Sequence, residues 1–470
     1  MPHIVVVTSG IMSLVNSAFA LAQQLVAAGH QVTFASAAPI EAAVTAQGLP
    51  FVQLGGEVPH QHVDQASSLP SRIARWLRKP FTIRTRQQQV LRSLALDDFA
   101  EKLTRLAPDL CIIDIELSAA IITACSLNIP TATLAAFISL YKYPNVPPLH
   151  LDIVPGVGWR GSTVGIEWVW LRFRLWKWAH FGLQRLRAVG ADPISVLRQQ
   201  ARAVGFPFEQ EVDMCQWLLP FVFRRLPLLY TNAHEFDFPH DPVPNCAHLG
   251  PMIQLDRRDA PMNSAPGDAY ASLETLFARR QQTPERKLIY CAFGAAFKGD
   301  DSEFLRKVVE AVREETGWDV ILALGGRRDP RDLGELPPHV HAYRWVPQPH
   351  VLEHADCAVI HGGIGTMNEC IHFQVPMVVY PFKNTNDQLG AAARIAYHRL
   401  GIVGDREQDD PSRIRSHIHT LLSDKDCHAR IAAMNAHFRR YRDEQRAVTI
   451  INQLLTDARN DVYPLFSRKA

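Results

Sequence analysis

Twice along its length the chain runs the same cycle of β-branched stretch, turn and amphipathic segment, and that repetition leaves few folds open. The first round holds "HIVVVTS" (3–9), a helical stretch from about Val15 to Ala28 with Phe19, Leu21, Leu25 and Val26 apolar, and "GHQVTFAS" (29–36). It continues through "DLCIID" (109–114), a helix through Cys125, and "IPTATLAAF" (129–137). The second round holds "KLIYCAFG" (287–294), "WDVILALG" (318–325), "HVHAYRW" (339–345), "CAVIHGG" (357–363) and "PMVVYPF" (376–382). Strands alternating with helices in this way predict parallel sheets covered by helices on both faces. Residues 251–268, rich in Pro, Asp and Ser and without periodicity, read as a linker. The expectation is an α/β protein of two doubly wound, Rossmann-like domains, residues 1–250 and 269–440, facing each other across a cleft into which the strand C-termini point. At 470 residues, each half is long enough to bury its own core.

Charge and composition narrow the partners. A net charge of +2 with interspersed charges gives no footprint for nucleic acid. The eight cysteines are scattered without paired or zinc-type spacing, so they read as reduced thiols. "HVH" (339–341) and "HQH" (60–62) are weak metal signals, and no metal is expected. The N-terminus lacks the basic leader and cleavage site of a signal peptide, and no run of about 20 uncharged apolar residues occurs. A cytoplasmic enzyme is the expectation. One segment, 159–187, carries five of the nine tryptophans with Arg172, Arg174, Lys177, Arg185 and Arg187. At helical spacing Val164, Trp168, Leu171, Leu175 and Trp178 share a face, which Trp170 and Phe173 widen. Two readings stay open: a helix packing bulky groups over an acceptor cleft, or an interfacial helix in peripheral contact with a membrane.

The stretch "HGGIGTMNE" (361–369) sits where a strand turns into a helix. Glycines 362, 363 and 365 remove Cβ atoms, so a ligand can approach the backbone and meet unpaired N–H groups at the positive end of the helix. A phosphate group fits. His361 and Thr366 add donors, and Glu369, one turn on, suits vicinal ribose hydroxyls. Trp345 in "RWVPQ" (344–348) is placed to stack on a nucleobase, and "NDQ" (386–388) offers groups that read sugar hydroxyls. A dinucleotide site fits poorly, because Asn368 stands where the third glycine of G-x-G-x-x-G belongs.

"WVPQ", "HGGIGTMNEC" and "VPMVVYPFKNTNDQ" together resemble the donor signature of the family 1 nucleotide-sugar-dependent glycosyltransferases, which have the two-domain GT-B fold. The likeness is closest over about 286–405; weaker echoes lie in "AAGHQVTFAS" near the start, at 108–114 and at 232–252, the last resembling the segment before the linker in bacterial members acting on carotenoids and other natural products. The resemblance implies an inverting, metal-independent transfer, with a UDP-sugar as co-substrate, a dTDP-sugar as the alternative, and glucose as the expected sugar. It assigns Trp345 to the base, Gln348 to the nucleoside, His361, Gly363 and Thr366 to the pyrophosphate, Glu369 to the ribose, and Asp387 with Gln388 to the donor sugar. It also implies that the C-terminal helix crosses back to the first domain, making 441–470 a separate closing segment. The acceptor expected from the tryptophan-rich segment is large and apolar: a lipid, terpenoid or carotenoid, polyketide or aromatic.

The family's N-terminal catalytic histidine is missing. Asp114 matches its aspartate partner, but Leu14 occupies the histidine position, and no histidine lies between His3 and His30. Three explanations compete. Asp114 acts directly or one of His60, His62, His150 and His234 reaches the space; the acceptor is an amine or an acidic hydroxyl; or the chain binds without efficient turnover, as an auxiliary sugar-nucleotide-binding protein. A working enzyme with an altered base, Asp114, is the favoured expectation. A dinucleotide-dependent oxidoreductase is the remote alternative.

Overall fold

The computed structural model describes residues 1–55, 80–188, 190–255, 266–293, 302–325, 328–383 and 387–460, with backbone alone at 80–86 and 266–271. His60, His62, most of the 251–268 linker, the 384–386 part of the "FKNTN" loop and the tail from 461 lie outside the described residues.

Two parallel sheets organise the chain. The first, in the order β3-β2-β1-β4-β5-β8-β9, has seven strands. They are β1 (His3–Val7), β2 (Gln31–Ser36), β3 (Phe51–Gln53), β4 (Leu110–Asp114), β5 (Thr131–Ala135), β8 (Leu228–Tyr230) and β9 (Cys246–His248). A small antiparallel pair, β6 (Val212–Asp213) and β7 (Val222–Phe223), stands outside it. The second sheet, in the order β12-β11-β10-β13-β14-β15, has six strands. They are β10 (Lys287–Ala292), β11 (Trp318–Ala323), β12 (Val340–Tyr343), β13 (Cys357–Ile360), β14 (Met377–Val379) and β15 (Gly401–Val403). Both orders reverse beside the first strand of the round, the topology that opens a crevice at the carboxyl ends of the strands.

The apolar runs are buried on both sides. In β1, Ile4 and Val6 join Val15, Phe19 and Leu25 in one core, while Val5 and Val7 join Ile113, Ile121 and Ile122 in another. That is the period of two read out on two covered faces. The first core is closed by the chain's end: Ala447, Ile451 and Leu455 of the helix Arg446–Arg459 pack into it, against the helix Met12–Ala27. The carboxyl-terminal helix therefore crosses back to the first sheet.

Seven helices matter below, in chain order: α1 (Met12–Ala27), α2 (Thr163–Ala188), α3 (Gln348–Leu352), α4 (Ile364–His372), α5 (Gln388–His398), α6 (Lys425–Asp443) and α7 (Arg446–Arg459). α5 locks the halves together. Arg394 and Asp237, both fully buried, form an ion pair at 2.6 Å, and His398 Nε2 lies 3.2 Å from the Asp237 carbonyl oxygen. Burial works to raise the Asp237 pKa, but Arg394 and His240 hold it at about 2. Gly390 meets the first half so closely that a Cβ there would lie 2.0 Å from the Leu149 carbonyl oxygen. Asn368 of α4 donates to Asn232 Oδ1 at 2.7 Å, and Tyr441 of α6 donates to Glu235 at 2.9 Å.

Candidate active site

The glycine cradle sits at the carboxyl end of β13. Gly362 has φ +90°, the left-handed region that a side chain resists, and it turns the chain from strand towards α4. A Cβ on Gly363 would lie 2.7 Å from His361 Nε2, so the close approach of ring and backbone needs glycine. Gly363 is the N-cap and no side chain caps the helix. The first intrahelical bond runs from Met367 N–H to the Gly363 carbonyl at 3.0 Å, so the amides of residues 364–366 face outward without intrahelical partners. Such a terminus attracts an anion through aligned donors and the helix dipole together.

His361 stands beside it with Nδ1 3.3 Å from the Ala292 carbonyl oxygen. A carbonyl accepts only, so Nδ1 carries the proton and Nε2 is left toward Gly363. Burial and the nearby Arg406 charge depress this histidine to about 4. The neutral ring therefore has no proton on Nε2; donation to a phosphate there requires a second proton, which an arriving dianion favours. Arg406 itself lies over Phe382 and Phe304, with ring distances of 4.0 and 4.2 Å. Sequence reasoning passed over Arg406, since nothing around it forms a motif.

Gln348 opens α3 and draws three side chains together. It accepts from Tyr290 at 3.0 Å and donates to Thr366 at 3.2 Å and to Glu369. Glu369 is buried, so its meeting with ribose hydroxyls requires Gln348 to yield that oxygen. Trp345 is half-buried in the loop between β12 and α3. Asp387 caps α5 without a side-chain bond to it, and burial raises its pKa to about 6. Gln388 accepts from the Phe382 N–H at 3.0 Å. Nearby, His350, Glu353 and His354 bring ligand atoms within 4.8 Å of one another. His350 is bound instead to Glu274 at 2.8 Å, and His354 packs on Phe277.

Across the cleft, Gly10 (φ +81°) turns β1 into α1 and brings Ser9 over the end of β4. Ser9 Oγ donates to Asp114 Oδ2 at 2.6 Å, and Asp114 Oδ1 accepts from the Glu116 N–H at 3.1 Å. Asp114 is only 5% exposed, and burial raises its pKa against those hydrogen bonds. Leu14 is half-buried on the first turn of α1. His150 accepts from the Trp217 indole at 3.0 Å and burial lowers it to about 4. Among the described residues, neither His150 nor His234 bonds to Asp114 or Ser9.

Residues 306–440, which span the cradle, match the family model "Erythromycin biosynthesis protein CIII-like, C-terminal domain". Over 459 residues the chain is 24% identical to the zeaxanthin glucosyltransferase of Pantoea ananas, covering 97% of this chain and 96% of that one. It is 29% identical to the oleandomycin glycosyltransferase of Streptomyces antibioticus over 167 residues, 35% of this chain and 38% of that one. Among solved structures, the calicheamicin glycosyltransferase CalG4 superposes with a TM-score of 0.64 at 21% identity, over 97% of this chain and 98% of that one.

The chain belongs to the family 1 glycosyltransferases.

As a family 1 glycosyltransferase of the GT-B fold, it transfers sugar from a nucleotide-sugar donor. In the second half of the chain Gln348 meets Thr366 and Glu369, His361 lies against Gly363, and Gln388 holds the Phe382 N–H. The first half holds two residues at Asp114 that the sequence did not single out, Ser9 and Glu116. Neither belongs to a local pattern; only the β1–β4 pairing puts Ser9 against Asp114.

Proposed function

We propose that the enzyme is an inverting transferase that moves glucose from UDP-glucose to a large apolar acceptor. The bare amides of residues 364–366 beside His361 carry the reading. The acceptor attacks the anomeric carbon in line as the nucleoside diphosphate leaves, and the helix terminus with Thr366 stabilises the charge growing on the departing oxygens. Asp387 and Gln388 orient the sugar, Trp345 stacks on the uracil, and Glu369 with Gln348 engages the ribose. The relative named for zeaxanthin, matched over nearly its whole length, supports an apolar acceptor and a glucosyl donor. The test is incubation with UDP-glucose, dTDP-glucose and a panel of zeaxanthin, other terpenoid alcohols and aromatics, followed by mass spectrometry. Hexosylation of an apolar acceptor from UDP-glucose supports the reading; transfer only to hydrophilic acceptors, or none, defeats it.

The outer face of α2 supports a further element, contact with an anionic membrane surface on the cytoplasmic side. Val164, Trp168, Leu171, Leu175, Trp178 and Leu186 form one exposed stripe, with Trp178 82% and Leu186 76% exposed. At 1.5 Å per residue that stripe is about 33 Å long. Trp170 and Phe173 do not widen it: both are buried on the opposite side. Lys177 also turns inward, donating to the Gln216 and Leu218 carbonyls at 2.8 Å. Arg172, Arg185 and Arg187 remain exposed along the helix, and tryptophans with arginines beside them suit a headgroup layer. Among the described residues no helix is long and apolar enough to cross a membrane. Flotation with vesicles of phosphatidylglycerol and phosphatidylcholine tests the contact. Trp178→Ser with Leu175→Ser should abolish co-flotation, and undiminished binding would refute it.

A further inference from the structure

The transferase lacks the histidine that would take the acceptor's proton, and the cleft holds another group suited to the task. Leu14 has no basic atom. Asp114 has both oxygens occupied, Oδ2 by Ser9 Oγ at 2.6 Å and Oδ1 by the Glu116 N–H at 3.1 Å, and it is almost wholly buried. An acceptor reaching it would have to displace a donor. Glu116 is placed differently. It lies two residues past the end of β4, its backbone fixed by that bond to Asp114, and its side chain is open to solvent. Two carboxylates act on it electrostatically: Asp114, two residues before it, and Asp387 at the start of α5 in the second half of the chain. Glu116 thus feels charge from both halves of the chain.

We propose that Glu116 is the catalytic base of this enzyme, receiving the proton of a neutral acceptor hydroxyl while Asp114, locked by Ser9, positions it. This rests on the glycosyltransferase reading above. In the step, the acceptor oxygen bonds to the anomeric carbon and its proton passes to a Glu116 carboxylate oxygen. The bond from the anomeric carbon to the diphosphate oxygen breaks, and the nucleoside diphosphate leaves with the electron pair. Water reaches the Glu116 side chain, yet protein crowds it on several sides; that partial desolvation, then Asp114, then Asp387 raise its pKa to about 7. A base poised there is half-ionised at neutral pH, close to the optimum for proton transfer.

The test uses the full-length enzyme, UDP-glucose, and two acceptors: a neutral terpenoid alcohol and 4-nitrophenolate, which carries no proton to remove. Glu116→Gln should lower kcat for the alcohol by about 100-fold or more and remove the acid limb of its pH profile. It should leave UDP-glucose affinity within about threefold and 4-nitrophenolate transfer within about tenfold of wild type. Equal losses with both acceptors, or a surviving acid limb, would overturn the proposal. Infrared difference titration gives a check that needs no acceptor: wild type should show a carboxyl group titrating between about pH 6 and 8 that Glu116→Gln lacks. If no such band exists the base is not Glu116, whereas failure to bind UDP-glucose would defeat the functional reading alone.

Discussion

The two sides of the cleft are built on different principles. The side expected to hold the donor is made from backbone: a left-handed glycine, a second glycine against a histidine ring, and uncapped amides at the start of α4. The side expected to receive the acceptor is made from side chains on segments far apart in sequence, with Ser9 reaching Asp114 across 105 residues. A diphosphate has the same shape in every nucleotide sugar, and a local arrangement of amides suffices to hold it. An acceptor and its base have no such fixed form, so the opposite wall can exchange one proton-handling group for another while the donor wall stays put.

Substitutions can break or sharpen that contrast. The largest effect is expected where the two sides are joined. Arg394→Met leaves Asp237 buried without its cation, and removing one partner of such a pair costs about 3–5 kcal/mol, measurable by urea denaturation. A loss below about 1 kcal/mol would mean that α5 does not depend on the pair. Ser9→Ala comes next. It deprives the buried Asp114 carboxylate of its short hydrogen bond and should cost about 1–3 kcal/mol of stability while leaving UDP affinity unchanged.

On the donor side, Gly363→Ala sets a methyl group 2.7 Å from His361 Nε2. UDP affinity by calorimetry should fall about tenfold, near 1.4 kcal/mol, with Leu14→Ala as a control that leaves it within twofold. Equal responses to the two substitutions would erase the distinction between the walls. The smallest effect concerns protons. His361, held at about 4 in the free protein, is neutral at pH 7. A bound diphosphate raises that value, so binding takes up a proton and affinity rises as pH falls from 8 toward 6. Calorimetry in buffers of different ionisation enthalpy should register an uptake that His361→Gln reduces.

How much of this was written plainly in the sequence follows the same division. Strands with four or more consecutive buried apolar residues, such as "IVVV" and "CAVI", are evident because both faces of a parallel strand are covered. β3, β8, β9 and β15 were not foreseen: each is three residues long and too short to show a period. The cradle was legible because strand, glycines and helix are contiguous. The tryptophan-rich segment was legible as a helix but not in its facing, since Trp170 and Trp178 look alike until one is buried and the other exposed. Ser9 and Glu116 were invisible, because a serine in a turn and a glutamate after a strand acquire meaning only once β1 lies beside β4.

The uncapped amides of residues 364–366 are expected to hold the diphosphate of a sugar nucleotide. Isothermal calorimetry of the full chain with UDP-glucose addresses this most directly, with Gly363→Ala as the paired variant. Saturable binding, weakened about tenfold by the added methyl group, is the expected result. Undetectable binding of both UDP- and dTDP-glucose, or binding indifferent to the methyl group, would contradict it.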